Sequence, residues 1–191
     1  MDQVHQRSRL FEPVENLHGS LEKIGLDTKY RYVPMWRLMS KFVLAMQGDP
    51  DWQETSTARE YQATKLGHAD GDSFLTELMP LPKPNLAAWP YESIFPDKKD
   101  YFKEIRPKRM AWLRSEFTKF QPRYVICYGK GYWPYYQEIF SNVTFDSELI
   151  ENVLIGQRAH STIIMTRFLS PDLVSPALLG QIAEILGQNH N

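Results

Sequence analysis

Apolar residues at Met35, Met39, Phe42, Val43 and Met46 recur at the i, i+4, i+7, i+8, i+11 spacing of one helical face, and Gly48-Asp49-Pro50 supplies a stop. Helices are also expected over Val14 to Ile24 and around Ser56 to Leu66, the latter capped by Thr55 or Ser56 and ended by Gly67. Residues 72–79 read as a buried strand that runs into an irregular loop containing Pro80, Pro82, Pro84, Trp89, Pro90 and Tyr91. A short helix is expected over 98–106. A longer one begins at Pro107, with Met110, Leu113, Phe117 and Phe120 as its buried stripe, and Pro122 closes it. There follow a strand at 123–128, an aromatic helix near 133–140, a strand at Asn152 to Ile155 and a strand at 162–167. Ser175-Pro176 then forms a cap and first-turn pair for a last helix whose Leu178, Leu179, Ile182, Ile185 and Leu186 face inward as far as Gly187. Strands alternating with helices predict an α/β fold, a three-layer sandwich with a mostly parallel central sheet flanked by helices, in which 72–79, 123–128 and 162–167 are neighbours.

A chain of 191 residues is sized for one core, so a single domain over 1–191 is expected, with a helical N-terminal portion over about 1–68. The 42% hydrophobic and 24% charged content is ordinary for a globular protein, and no apolar run approaches the roughly 18 residues that a membrane-spanning helix needs. The first residues, MDQVHQRSRLFEP, lack the apolar core of a secretory signal, which predicts a cytoplasmic protein. With Cys127 as its one cysteine the chain has no intrachain disulfide and no multi-cysteine metal centre. Cys127 falls within a buried strand pattern and reads as a core thiol. His5, His18, His68, His160 and His190 lack the spacing of metal ligands, so neither a metal nor another cofactor is expected.

Charge is uneven although the total is only −1. Between Asp97 and Lys130 there are ten basic residues (Lys98, Lys99, Lys103, Arg106, Lys108, Arg109, Arg114, Lys119, Arg123 and Lys130) against four acidic ones. That stretch is either the solvated face of a helix or a surface turned toward a polyanion. In the second case binding should fall steeply with salt, and reversing Lys108 and Arg109 should weaken it without changing base preference.

Chemistry-bearing residues gather where the strands end. In open α/β sheets ligands bind outside the carboxyl ends of strands, so the loops after 79, 128 and 167 point to one site. Glu77 offers an acceptor for N–H groups of a base. Trp89, Tyr91, Tyr132 and Trp133 offer stacking faces, Lys130 and Arg167 offer cations for phosphates, and Ser170 with its backbone N–H offers a phosphate donor. Gly129-Lys130-Gly131 lies between a strand and a helix, where N–H groups attract anions, but the third glycine of a dinucleotide fingerprint is absent and there is no Walker A motif.

Three segments in this order, Leu75 to Pro82, Gln121 to Gly129 and Arg167 to Pro171, resemble the uracil-DNA glycosylase superfamily over roughly residues 70–187. The resemblance implies an α/β domain that acts on or binds nucleic acid or a nucleobase, with Glu77 at the base-reading position. Gln47-Gly48-Asp49-Pro50-Asp51-Trp52 looks similar in composition to the family's first loop, which implies Phe42 to Met46 as its strand and Asp49 as the water-activating acid. The apolar stripe through Met46 predicts a helix end at the same place. Glu77 replaces the family's Asn, and Phe168 stands where its last loop begins with His or Asn, so excision of uracil is expected to be weak or absent.

Three readings follow. One is a glycosylase-like enzyme hydrolysing an N-glycosidic bond through Asp49, Glu77 or Asp172. Another is a non-catalytic binder of DNA or a nucleobase on the same fold. The third is a protein-interaction module that docks a partner through the aromatic, Pro-rich loop 80–91.

Overall fold

A computed structural model describes residues 34–67, 71–81, 87, 89–147 and 149–188. The helix expected over Val14 to Ile24 and the greater part of the proline run lie outside the described residues. Helix α1 spans Pro34–Gln47, and α2 spans Thr55–Thr64. The end of α1 is a Schellman turn: Gly48 has φ 77°, its N–H donates to the Ala45 carbonyl, and the Asp49 N–H reaches back to the Leu44 carbonyl. Phe42 to Met46 is therefore helix and not the strand of a catalytic first motif.

Residues 72–79 correct the expectation of a strand, because they join no sheet. Side-chain hydrogen bonds hold this segment and the residues just after it in place of a ladder. Ser73 Oγ accepts from Gly67 N–H at 2.9 Å, Thr76 Oγ1 accepts from Arg109 Nη2 at 2.9 Å, and Leu81 N–H donates to the Tyr101 hydroxyl at 3.2 Å. The Asp72 carboxylate accepts from Tyr61 and from Gln47, tying the segment's start to α2 and α1.

The two helices expected around Pro107 are one, α3, over Lys98–Phe120. Asp97 caps it, accepting from Lys99 N–H at 2.8 Å. Pro107 removes a donor from the interior, but Tyr101 on one side and Arg109 and Met110 on the other are buried and hold both flanking turns in place. Strand β1 (Tyr124–Tyr128), helix α4 (Trp133–Ile139), β2 (Phe145–Asp146), β3 (Leu154–Arg158), β4 (Ser161–Thr166) and α5 (Pro176–Gln188) complete the described elements. Ser175 caps α5 as expected, its Oγ accepting from Leu178 N–H at 3.2 Å.

The four-stranded sheet has the order β1-β4-β3-β2. Only β1 and β4 run parallel, with Tyr124 opposite Thr162 and Tyr128 opposite Thr166, and both remaining pairings are antiparallel. The predicted three-layer sandwich around a mostly parallel sheet is thereby overturned, and helix outweighs strand in the described chain. The cause is local. β3 returns into β4 through Ala159-His160, with Ala159 at φ 53°, and so short a connection can join only antiparallel neighbours.

β4 is buried along its whole length, and its alternating side chains serve two clusters. Ile164 joins Leu38 and Phe42 of α1 and Leu179, Ile182 and Leu186 of α5. Ile163 and Met165 join Met110 and Phe117 of α3 and Ile139 of α4. Cys127 is in this second cluster, as its strand pattern predicted. Gly156 on β3 sits so close to β2 that a Cβ would stand 2.4 Å from Val143 Cγ1. None of the described helices is long and apolar enough to cross a membrane.

Candidate functional site

Two adjacent strand ends build the site. Because β1 and β4 are parallel neighbours in register, Gly129–Trp133 and Arg167–Ser170 leave the same edge of the sheet side by side. Thr166 binds the loops together: its carbonyl accepts from Gly129 N–H at 3.0 Å and from Trp133 Nε1 at 3.1 Å. The rings of Tyr128 and Phe168 meet edge to face with centroids 5.9 Å apart.

Lys130 is exposed, its Nζ 2.9 Å from Asn152 Oδ1 and 5.5 Å from the centre of the Trp133 ring. Arg167 is half-buried, its Nη2 4.0 Å from Glu151 Oε1. Tyr132 is 39% and Phe168 50% exposed, so both loops present an aromatic face beside a cation. Trp133 is spent differently. Its indole N–H is committed to Thr166 and its ring packs with the α3 and α4 cluster, which makes it a strut of the loop. Ser170 is also committed: its N–H donates to the Phe168 carbonyl at 2.9 Å, and its carbonyl accepts from Leu173 and Val174. The backbone donor expected for a phosphate is thus used within the loop. Gly129 (φ 96°) leads into a short 3-10 turn over Lys130–Tyr132 and then into the seven-residue α4, so the Gly-Lys-Gly run does not open a long anion-binding helix.

Glu77 and Asp49, the two acids singled out by sequence, are placed very differently. Asp49 belongs to the turn after α1, where its Oδ1 accepts from Asp51 N–H at 2.8 Å, a role that fixes the backbone. Glu77 is exposed on the 72–79 segment, its backbone carbonyl accepts from Arg109, and its carboxylate acts electrostatically on Tyr101, Arg109, Tyr128 and Tyr136. Burial pushes the Tyr101 and Tyr128 phenols up to about 12, with the Glu77 carboxylate adding to the rise, and Tyr136 is raised further for the same reasons. These phenols remain neutral donors at physiological pH. Asp172 is exposed on the turn after β4.

Trp89 stands apart from this edge in its contacts. Its Nε1 donates to the Phe95 carbonyl at 2.7 Å, and its ring lies 5.3 Å from both Tyr91 and Tyr101. Tyr91 is buried. The described aromatics of the 80–91 loop are therefore packed on one another and on α3.

The basic stretch also divides. Arg109 is buried, bonded to Thr76 and to the Glu77 carbonyl and stacked 4.4 Å from the centre of the Trp112 ring. Arg114 donates to the Glu138 and Ile139 carbonyls and closes the end of α4. Lys99, Lys103 and Arg106 follow i, i+4, i+7 spacing along one stripe of α3, and Arg106 rests 4.2 Å from the centre of the Tyr135 ring. The stripe thereby adjoins α4, whose first turn continues directly from the Lys130 loop.

Glu151, Asn152, Tyr128 and Tyr136 belong to the site although sequence reasoning did not single them out. The Glu-Asn pair ahead of the apolar run 153–155 is a turn signal, and Asn152 does take φ 61°. Thr166 Oγ1 is buried at the same strand end with no hydrogen-bond partner among the described residues. No group of three or more His, Cys, Asp or Glu among the described residues could hold a metal ion.

The buried acidic groups predict an alkaline limit to stability. Cys127, Tyr101 and Tyr128 ordinarily ionise at 9.0, 10.0 and 10.0, and in the folded chain each is raised to about 12, chiefly by burial. Stability is therefore complete below about pH 9. It falls as pH rises toward 12, where the unfolded chain releases protons that the folded chain keeps. Urea unfolding at several pH values should show this decline, and Tyr128→Phe should remove on the order of 2 kcal/mol of it at pH 12. A flat profile between pH 9 and 12 would contradict the burial of these groups.

The chain was compared with protein-family models, with curated proteins and with solved structures, and it matches none of them.

Proposed function

We propose that the protein binds single-stranded nucleic acid across the shared carboxyl edge of β1 and β4. One observation carries the reading: the parallel register of these strands brings Lys130 and Tyr132 from one loop beside Arg167 and Phe168 from the other. Alternating cations and exposed rings suit a strand whose phosphates need neutralising and whose bases present π faces. Glu77, exposed on the segment between α2 and α3, offers an acceptor for the edge of a base, whereas the Tyr136 hydroxyl is already committed to the Tyr128 carbonyl at 3.3 Å. The Lys99, Lys103 and Arg106 stripe of α3 extends the basic surface past α4. Burial of Tyr91 and the packing of Trp89 weigh against the aromatic loop as a protein-docking arm. The resemblance to uracil-DNA glycosylases fits the same class of ligand.

Fluorescence anisotropy with a labelled oligothymidylate should detect binding at low salt that drops by roughly tenfold between about 50 and 200 mM. Affinity indifferent to salt, or none at the lowest salt, would reject the interface. Uracil-containing DNA incubated with the protein and then treated with alkali should remain intact. Strand breakage lost in Glu77→Ala would instead identify a hydrolase.

A further inference from the structure

We propose that the Glu151-Asn152 turn is an intramolecular mimic of the phosphodiester, engaging Lys130 and Arg167 until a bound strand replaces it. The inference rests on the nucleic-acid reading above and adds a regulatory contact to that site. Lys130 and Arg167 come from different loops, yet both are met by this one turn. Lys130 Nζ donates to Asn152 Oδ1 at 2.9 Å, Asn152 Nδ2 donates to Glu151 Oε1 at 2.8 Å, and the same oxygen lies 4.0 Å from Arg167 Nη2.

The turn is held in place from below. Ile150 and Val153 on either side of it are buried, and the Val153 N–H donates to the Ile150 carbonyl at 3.2 Å. Asn152 takes a left-handed φ of 61°, which asparagine tolerates better than most residues. The backbone is thus anchored by the core, while the Glu151 side chain is 93% exposed.

An amide oxygen and a carboxylate oxygen set between an ammonium and a guanidinium offer the acceptors that two phosphate oxygens would offer. A phosphodiester brings its full charge to both cations, whereas the turn meets Lys130 only through a neutral amide. Exposed ion pairs are weak, so the turn raises the threshold for binding without closing the site.

Removing the carboxylate charge while keeping its shape isolates this effect. Glu151→Gln should bind oligothymidylate about two- to fivefold more tightly than the wild type at low salt, a gain of the size an exposed ion pair allows. Glu60→Gln, which removes the same charge from an exposed position on α2, should leave affinity unchanged. An equal gain in both variants would overturn the mimic, as a general charge effect. Unchanged affinity in Glu151→Gln, with binding still weakened by Lys130→Glu, would overturn the mimic and leave the interface standing. Absence of binding by wild type and variant alike would overturn both.

Discussion

Lys130→Glu should weaken binding to single-stranded DNA about tenfold at low salt, because a phosphate attraction becomes a repulsion at the centre of the proposed site. The salt dependence should become shallower by roughly 0.7 in the slope of log K against log salt, the share of one phosphate on a single strand. Lys130 is exposed, and among the described residues its ammonium meets Asn152 and the Trp133 ring, so the unfolding midpoint should hardly move. Arg167→Glu should act in the same direction. The double variant should lose less than the product of the two, since both cations share the Glu151-Asn152 turn. Lys108 is already paired with Glu104 at 2.8 Å, and its reversal should matter little. Reversing Arg109, expected from the sequence to touch only binding, is instead a test of folding, because that side chain is buried against Trp112. Unchanged affinity in Lys130→Glu would remove the loop from the interface.

Ile164→Ala should cost about 2–5 kcal/mol of stability, the range for emptying a fully enclosed aliphatic site. Ile164 is 0% exposed at the middle of β4, between β1 and β3, and touches the cluster built from α1 and α5. A domain of this size holds only some 5–15 kcal/mol in total, so the denaturant midpoint should shift markedly while the slope stays constant. Ile94→Ala, at an exposed position, should change stability by less than about 0.5 kcal/mol. A small effect at Ile164 would mean that β4 is not the spine that positions the two loops.

The residues explain which features could be read in advance. Periodicity located α1 and α5 because each turns one apolar face to a cluster, and Gly48 and the Ser175-Pro176 pair marked ends by chemistry that acts within a few residues; α2, by contrast, starts from Glu54 without a side-chain cap and ends at Thr64, ahead of the expected stop at Gly67. β1 and β4 were legible as continuous apolar runs of the kind buried on both faces. Sheet direction was not, because it turned on a hairpin at Ala159-His160 that carries no Gly, Asn or Asp to announce a left-handed residue. The 72–79 segment looked like a strand by its apolar content, yet Thr76 and Glu77 are held by Arg109, 33 and 32 residues further on in α3, a long-range fact no local window contains. Lys130 and Arg167 were found as loop cations. Their common attachment to Glu151-Asn152 depends on strand pairing and could not be found that way.

In the proposed complex one strand-end edge, and not the helical stripe alone, receives the nucleic acid. Amide chemical-shift mapping of the isotopically labelled protein with a short oligothymidylate tests this placement most directly. The largest shifts should fall at Gly129–Trp133, Asn152 and Arg167–Ser170, with smaller ones along the Lys99, Lys103 and Arg106 stripe of α3. Shifts confined to α3, or to α1 and α2, would contradict it.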